Sequence, residues 1–277
     1  TVRTMLSLFY RYKQIIIVND GSTDTTLELL IQTFALQKVP PLFNAKLPTQ
    51  KIRSFYQSSE YPELLVIDKE NGGKADALNA GLNASTTELH VCADADTLIQ
   101  SKSLAFLIRP FLENPNTLVV STSVCIANGC TIAENRIIHY GFPDRLLVGF
   151  QMIEYLKTIF IERMWVEWTR GALVVPGAFG LFRSNAVIEV GGYNKESMVE
   201  DMEIIMRMHK YMLEHKRDYK IACIPEPVAW TEAPETLHAL YKQRKRWFPG
   251  TFHCLWDYAD MCFNPRYKSI GMVVIPY

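Results

Sequence analysis

Apolar residues follow two rhythms along this chain. The first is a series of short continuous runs: QIIIV at 14–18, ELLVIDK at 63–69, LHVCADAD at 89–96 and TLVVSTSV at 117–124. Such runs, rich in β-branched residues and bounded by turn formers, predict buried strands. The second rhythm is helical. Residues 1–10 place Val2, Met5, Leu6 and Phe9 on one face, and Thr23 to Leu36 has Ser22, Thr23 or Asp24 available as N-cap. Lys74 to Leu82 follows the Asn71-Gly72-Gly73 turn, and a further helix falls near 102–113. Strands alternating with helices predict an α/β class with a mostly parallel central sheet. Residues 37–61, with Pro40-Pro41 and Pro48, read as a linker.

Past residue 124 the pattern changes. Residues 125–144 are irregular, 146–164 read as a long amphipathic helix, and ALVVPGAFGLF at 172–182 suits a strand–loop–strand wall. Helix returns at 184–190 and 199–216, a short strand falls at 221–225, and 236–262 is helical with an interruption at Pro249-Gly250. No internal repeat or low-complexity segment is visible.

Composition narrows the function classes. The 277 residues are 48% hydrophobic and 21% charged, which is globular rather than disordered composition. Lys+Arg and Asp+Glu both total 29, so the basic excess of a nucleic-acid binder is absent and no nucleic-acid partner is expected. Six scattered cysteines without a CxxC read as reduced thiols, and six histidines without HExxH or HxH spacing argue against a zinc site. No apolar run approaches the ~20 residues of a membrane-spanning helix.

Four places carry candidate chemistry. Strands end at Asp20, at Asp68 and at Asp94-Ala95-Asp96, and ligands of open α/β sheets sit at the carboxyl ends of strands. Asp94 and Asp96 fit either a solvated loop or a shared site for Mg²⁺ or Mn²⁺, hard cations that prefer oxygen ligands. Asn71-Gly72-Gly73-Lys74 is either a plain turn or a phosphate cradle of amides and one ammonium. Glu200-Asp201 either complements a helix dipole or supplies a general base. Gln243-Arg244-Lys245-Arg246-Trp247 is either a solvated basic face or a phosphate and stacking platform. A nucleotide diphosphate with a metal, cationic donors and a carboxylate base accounts for all four together. Walker A and GxGxxG loops are absent.

The order of Asp20 in Val-Asn-Asp-Gly-Ser, Asp94-Ala95-Asp96, Glu200-Asp201 and Gln243-Arg244-Lys245-Arg246-Trp247 resembles the D, DxD, (T)ED, QxxRW series of processive family 2 glycosyltransferases. These are the cellulose, hyaluronan, chitin and poly-N-acetylglucosamine synthases. Gly72-Gly73-Lys74-Ala75 with Asn79, Pro176-Gly177-Ala178-Phe179-Gly180 and Gly191-Gly192-Tyr193 extend the likeness over nearly the whole chain. The resemblance implies a GT-A fold, Mg²⁺ or Mn²⁺, a UDP-sugar donor and inverting transfer to a polysaccharide or glycan hydroxyl. It implies that Asp20 meets the uracil or ribose, Asp94 the nucleoside and metal, and Asp96 the metal. Lys74 and Arg246, with Arg244 beside them, would serve the diphosphate. Gln243 would line the donor or acceptor site, and Trp247 would pack under the acceptor sugar. Asp201 would be the general base. Val199 stands where the family usually has Thr, a position that is not the base.

The resemblance also sets expectations at the ends. Residues 1–262 would form the catalytic domain without its first strand, and 263–277 would begin an interfacial or transmembrane segment. The family places such a domain on the cytoplasmic side of the plasma (inner) membrane in a multi-pass protein. Membrane lipid is then a partner, and an accessory secretion subunit is a further one the resemblance allows. The helix at 146–164 and residues 252–268 would face lipid or pack in the core. Competing readings are a non-processive transfer to a lipid-linked acceptor, a non-catalytic nucleotide-sugar-binding module, and a nucleotidyltransferase.

Overall fold

The computed structural model describes residues 2–41, 43–133, 136–169 and 171–276, and the side chains of these except 136 and 160–168. In chain order the elements begin α1 (Val2–Leu6), β1 (Ile15–Asp20), α2 (Thr26–Thr33), β2 (Leu36–Val39), β3 (Ile52–Ser58), β4 (Leu64–Lys69) and α3 (Lys74–Ala84). They continue with β5 (Leu89–Ala93), β6 (Leu98–Ile99), α4 (Ser103–Glu113), β7 (Thr117–Ile126), β8 (Thr131–Ala133), β9 (Arg136–His139) and α5 (Leu146–Thr169). The last are β10 (Phe179–Arg183), α6 (Ser184–Glu189), α7 (Glu200–Glu214), β11 (Lys220–Thr231) and α8 (Leu237–Asp257). Short 3₁₀ turns and a π-helical turn at Ile270–Val274 complete the chain.

The chain divides into two compact units: Arg11–His90 with Ser184–Glu196, and Thr1–Tyr10 with Val91–Arg183 and Ser197–Tyr277. The smaller unit is built on a four-stranded sheet in the order β1-β4-β3-β2. Every residue of β4 is buried, as the unbroken run LLVI demands. Phe55, Leu65, Ile67 and Ala84 form a core under Ile16, Val18 and Phe43. The larger unit is built on a five-stranded sheet, β5-β10-β7-β11-β6. The hairpin β8-β9 forms its own small ribbon.

The α/β class holds, with mixed sheets. β1 pairs with β4 and β7 with β11 in parallel, while β2/β3, β3/β4, β7/β10 and β6/β11 are antiparallel. The short link from Ser58 to Leu64 explains part of this, because a tight connection can only join antiparallel strands. The linker expectation for 37–61 is also corrected. β2 and β3 lie in that stretch, and the prolines occupy the loop between them. α2 is shorter than expected because Ala35 takes a left-handed φ of 47° and Leu36 enters β2. α1 buries Thr4, and Leu8 beyond it, rather than the face containing Phe9. α8 runs unbroken through Pro249-Gly250, and in 172–182 only Phe179 onward is strand.

Candidate active site

In the smaller unit, sheet register positions the first group of candidate residues. The parallel pairing of β1 with β4 sets Asn19 beside Asp68 and Asp20 beside Lys69. Asn19 Nδ2 donates to Asp68 Oδ1 at 2.8 Å, so Asp68 is part of the scaffold. Asp20 Oδ1 accepts from Lys69 Nζ and from the Gly72 amide (3.0 Å), and Oδ2 accepts from the Gly73 amide (2.7 Å). Asn71 Nδ2 donates to the Asp20 carbonyl at 2.8 Å. The glycines are required here: a Cβ on Gly72 would lie 2.6 Å from Asp76 Cγ, and Gly73 has φ +84°. Lys74 then opens α3.

Further along α3, two side chains hold neighbouring loops. Asp76 is fully buried and pairs with Lys69 (2.7 Å) and Lys195 (3.1 Å), while the Gln50 amide donates to both its oxygens. Burial opposes its ionisation, but the Lys69 and Gln50 hydrogen bonds and Lys195 outweigh it and hold Asp76 below the ordinary carboxylate range. Asn79 uses its whole amide on Tyr193: Nδ2 donates to the Tyr193 carbonyl and Oδ1 accepts from its N–H, both at 2.8 Å. That pairing explains why two distant motifs, around Lys74 and around Tyr193, occur together.

In the larger unit, Asp94-Ala95-Asp96-Thr97 is a turn closed by Thr97 N–H to the Asp94 carbonyl at 3.3 Å. It carries the chain from edge strand β5 to edge strand β6, across the end of the sheet. Asp96 is exposed and Asp94 half-buried. Among the described residues no three His, Cys, Asp or Glu side chains cluster as a preformed metal cage. Two carboxylates on one turn still suit Mg²⁺ or Mn²⁺, which completes its shell with water and phosphate oxygens.

Asp201 lies in the first turn of α7, with Glu200 and Glu203. Its Oδ2 accepts from the Gly177 amide at 3.2 Å and its Oδ1 from the Met202 amide at 2.9 Å. Gly177 belongs to the Pro176–Gly180 motif, in its part just before β10, so that motif orients the carboxylate. α8 crosses close to the segment just before Asp201. A Cβ on Gly250 would meet Val199 Cγ1 at 2.7 Å, which is the structural reason for glycine after Gln243–Trp247. On α8, Gln243 and Trp247 are half-buried and Arg246 is exposed. Arg244 is held by Glu154 of α5 at 2.6 Å and stacks on the Trp247 indole, 4.9 Å from its centroid. It steadies the platform.

Three supporting residues carried no sequence signal strong enough to single them out. Lys69 is fully enclosed at 0% exposure at the end of an apolar strand. A lysine inside such a run was the only clue. His209 is fully buried on α7. Its Nε2 lies 2.8 Å from the Ala172 carbonyl and must donate to it, which leaves Nδ1 to accept from Tyr219 Oη at 2.6 Å. Burial drives its pKa down to about 4, partly offset by the Ala172 carbonyl. It therefore ties the loop leading to Gly177 to α7 as a neutral group. Glu203, which accepts from Tyr258 Oη at 2.7 Å, ties the end of α8 to the same helix.

This arrangement has the fold of a GT-A glycosyltransferase. The structure is similar to a mannosyltransferase of Pyrobaculum calidifontis solved with GDP-Man and Mn²⁺: TM-score 0.64, 16% identity, 99% of this chain and 66% of that one. Residues 48–250 match the family described as glycosyltransferase like family 2, and the chain belongs to that family. The matched span holds Lys74, Asp94, Asp96, Asp201 and Gln243–Trp247. Poly-β-1,6-N-acetyl-D-glucosamine synthases of Staphylococcus aureus and Staphylococcus epidermidis are each 29% identical, over 90% and 100% of this chain. The chain spans 50% and 56% of the length of those relatives.

Proposed function

We propose that this chain is the catalytic domain of an inverting, metal-dependent glycosyltransferase that extends a polysaccharide. The donor is a UDP-sugar, UDP-N-acetylglucosamine or UDP-glucose, and the acceptor is a glycan hydroxyl. One observation carries this reading. The likeness to two poly-β-1,6-N-acetyl-D-glucosamine synthases runs over 251 and 278 residues, nearly the whole chain.

Each candidate residue then has a task. Asp201, held by the Gly177 and Met202 amides, takes the proton from the acceptor hydroxyl as that oxygen attacks the anomeric carbon. Lys74 and Arg246 neutralise the departing diphosphate. Asp96 and Asp94 would hold Mg²⁺ or Mn²⁺, which supplies further charge stabilisation to that leaving group. Trp247 offers a stacking face to the acceptor, with Gln243 one helical turn before it.

Membrane association at the cytoplasmic side of the plasma (inner) membrane, in a multi-pass protein, belongs to the same reading. Leu146, Phe150, Ile153 and Leu156 form an exposed apolar stripe on α5. Leu237, Tyr241, Phe248, Phe252 and Trp256 form another on α8, the last two 77% and 80% exposed. Such stripes suit the headgroup boundary. No helix among the described residues is long and apolar enough to cross a membrane. Tyr267, Ile270 and Val274 are buried with Met202, Met206 and Met261.

The test is a donor panel of radiolabelled UDP-N-acetylglucosamine, UDP-glucose and GDP-mannose, read as label in polymer. Incorporation from a UDP-sugar, dependent on Mg²⁺ or Mn²⁺, is expected. Incorporation from GDP-mannose alone contradicts the donor assignment, and label appearing only in lipid contradicts the polysaccharide acceptor.

A further inference from the structure

Lys69 is a fully enclosed charge in the smaller unit, as is Asp76, and the proposed chemistry leaves Lys69 without a task. Its ammonium donates to Asp20 Oδ1, to Asp76 Oδ1 (2.7 Å) and to the Glu70 carbonyl (2.7 Å). Three N–H groups thus meet three acceptors, and none is left for a phosphate. Burying an ammonium is tolerable only when it is paired and hydrogen-bonded in this way. The consequence falls on Asp20. One of its oxygens is pinned by Lys69, and the same carboxylate collects the Gly72 and Gly73 amides at 3.0 and 2.7 Å. The shape of the Asn71–Gly73 turn, and the place where Lys74 starts α3, therefore hang on the orientation of a single carboxylate.

We infer that Lys69 is a positioning residue for the donor end of the site. It acts through Asp20 to preorganise the Gly72-Gly73-Lys74 turn for a nucleotide diphosphate. The inference rests on the nucleotide-sugar reading of that turn. A merely structural lysine would matter only for the buried charge balance with Asp76, which separates the two roles experimentally. Lys69→Met combined with Asp76→Asn removes one positive and one negative charge together and leaves Asp20 intact.

Three readouts are taken on the 277-residue chain: thermal midpoint, the NMR amide signals of Gly72 and Gly73, and the affinity for UDP with Mn²⁺ by calorimetry. The double variant is expected to melt somewhat below the unsubstituted chain, because Asp76 also holds the Gln50 amide and Lys195. Asp76→Asn alone, measured beside it, gives the share of each readout that owes nothing to Lys69. In the double variant the Gly72 and Gly73 amide signals should move upfield as the carboxylate swings away, and UDP should bind about 10- to 100-fold more weakly, the usual loss when an orienting partner is removed. Unmoved amide signals overturn the inference, and so does unchanged affinity in a chain that binds nucleotide. If the unsubstituted chain binds neither UDP nor GDP, the nucleotide-sugar reading itself fails, and the amide signals alone decide whether Lys69 orders the turn. Should the double variant not fold, Lys69→Arg carries the same readouts, because it keeps the charge but not the compact ammonium geometry.

Discussion

The two units use the same residue types in opposite ways. In the smaller unit, Asp20, Lys69, Asp76 and Lys195 form a continuous chain of ion pairs whose centre is fully buried. In the larger unit, Asp96 and Arg246 lie at the surface, on a turn and on a helix. The difference lies in environment. Buried charges must be paired to be tolerated, and once paired they are scaffolding. Charges left in water are free to exchange solvent for a ligand. Substituting the paired, buried charges of the smaller unit should therefore cost stability, whereas substituting the exposed Asp96 and Arg246 should cost binding and rate.

The largest expected effect on stability is at Lys69. Lys69→Met alone leaves the enclosed Asp76 short of its main partner and should cost about 3–5 kcal/mol in urea unfolding. A loss below 1 kcal/mol would erase the contrast between the units. Next is acidification. His209 has a folded pKa of about 4 against an ordinary 6.5. Between these values the unfolded state binds the extra proton, so the contribution of His209 falls as pH drops through this window and levels off below about pH 4. The total is about 3 kcal/mol, and His209→Gln should flatten that part of the urea-midpoint profile. Gly250→Ala follows, at about 1–3 kcal/mol, because its Cβ would press on Val199. The smallest effect is at Asp96. Asp96→Ala should move stability by less than about 0.5 kcal/mol, as for ordinary surface positions. Calorimetry should nevertheless show Mn²⁺-dependent UDP binding lost. Unchanged binding would remove Asp96 from the metal site.

Much of the fold was legible because burial and period coincide. LLVI at 64–67 is buried on both faces, and α7 follows its helical spacing. The readable chemistry was the part that lies on turns and helix starts, where an acid or a glycine stands out against apolar neighbours. What escaped depended on register. Nothing local marks Lys69 as the partner of Asp20, 49 residues away. Only the parallel pairing of β1 with β4 brings them together. β3 escaped because Pro48 and its neighbours dominate the stretch, although Ile52–Ser58 keeps a strand's composition. Pro249 misled in the other direction. The expected break in α8 does not occur: the helix is buried at Gly250 and Cys254, just past the proline, and packing there offsets one missing amide. The double role of Asn79 on Tyr193 was visible as two motifs but not as a contact.

The central claim is that Asp201 is the base of a sugar transfer, and one comparison tests it most directly. Label transfer from UDP-sugar to polymer is measured for the unsubstituted protein and for Asp201→Asn, with UDP·Mn²⁺ affinity measured on the same preparations. Turnover should fall about 10²–10⁴-fold while nucleotide affinity stays within about twofold, since a base that meets only the acceptor adds nothing to donor binding. Turnover near that of the unsubstituted protein would contradict the account.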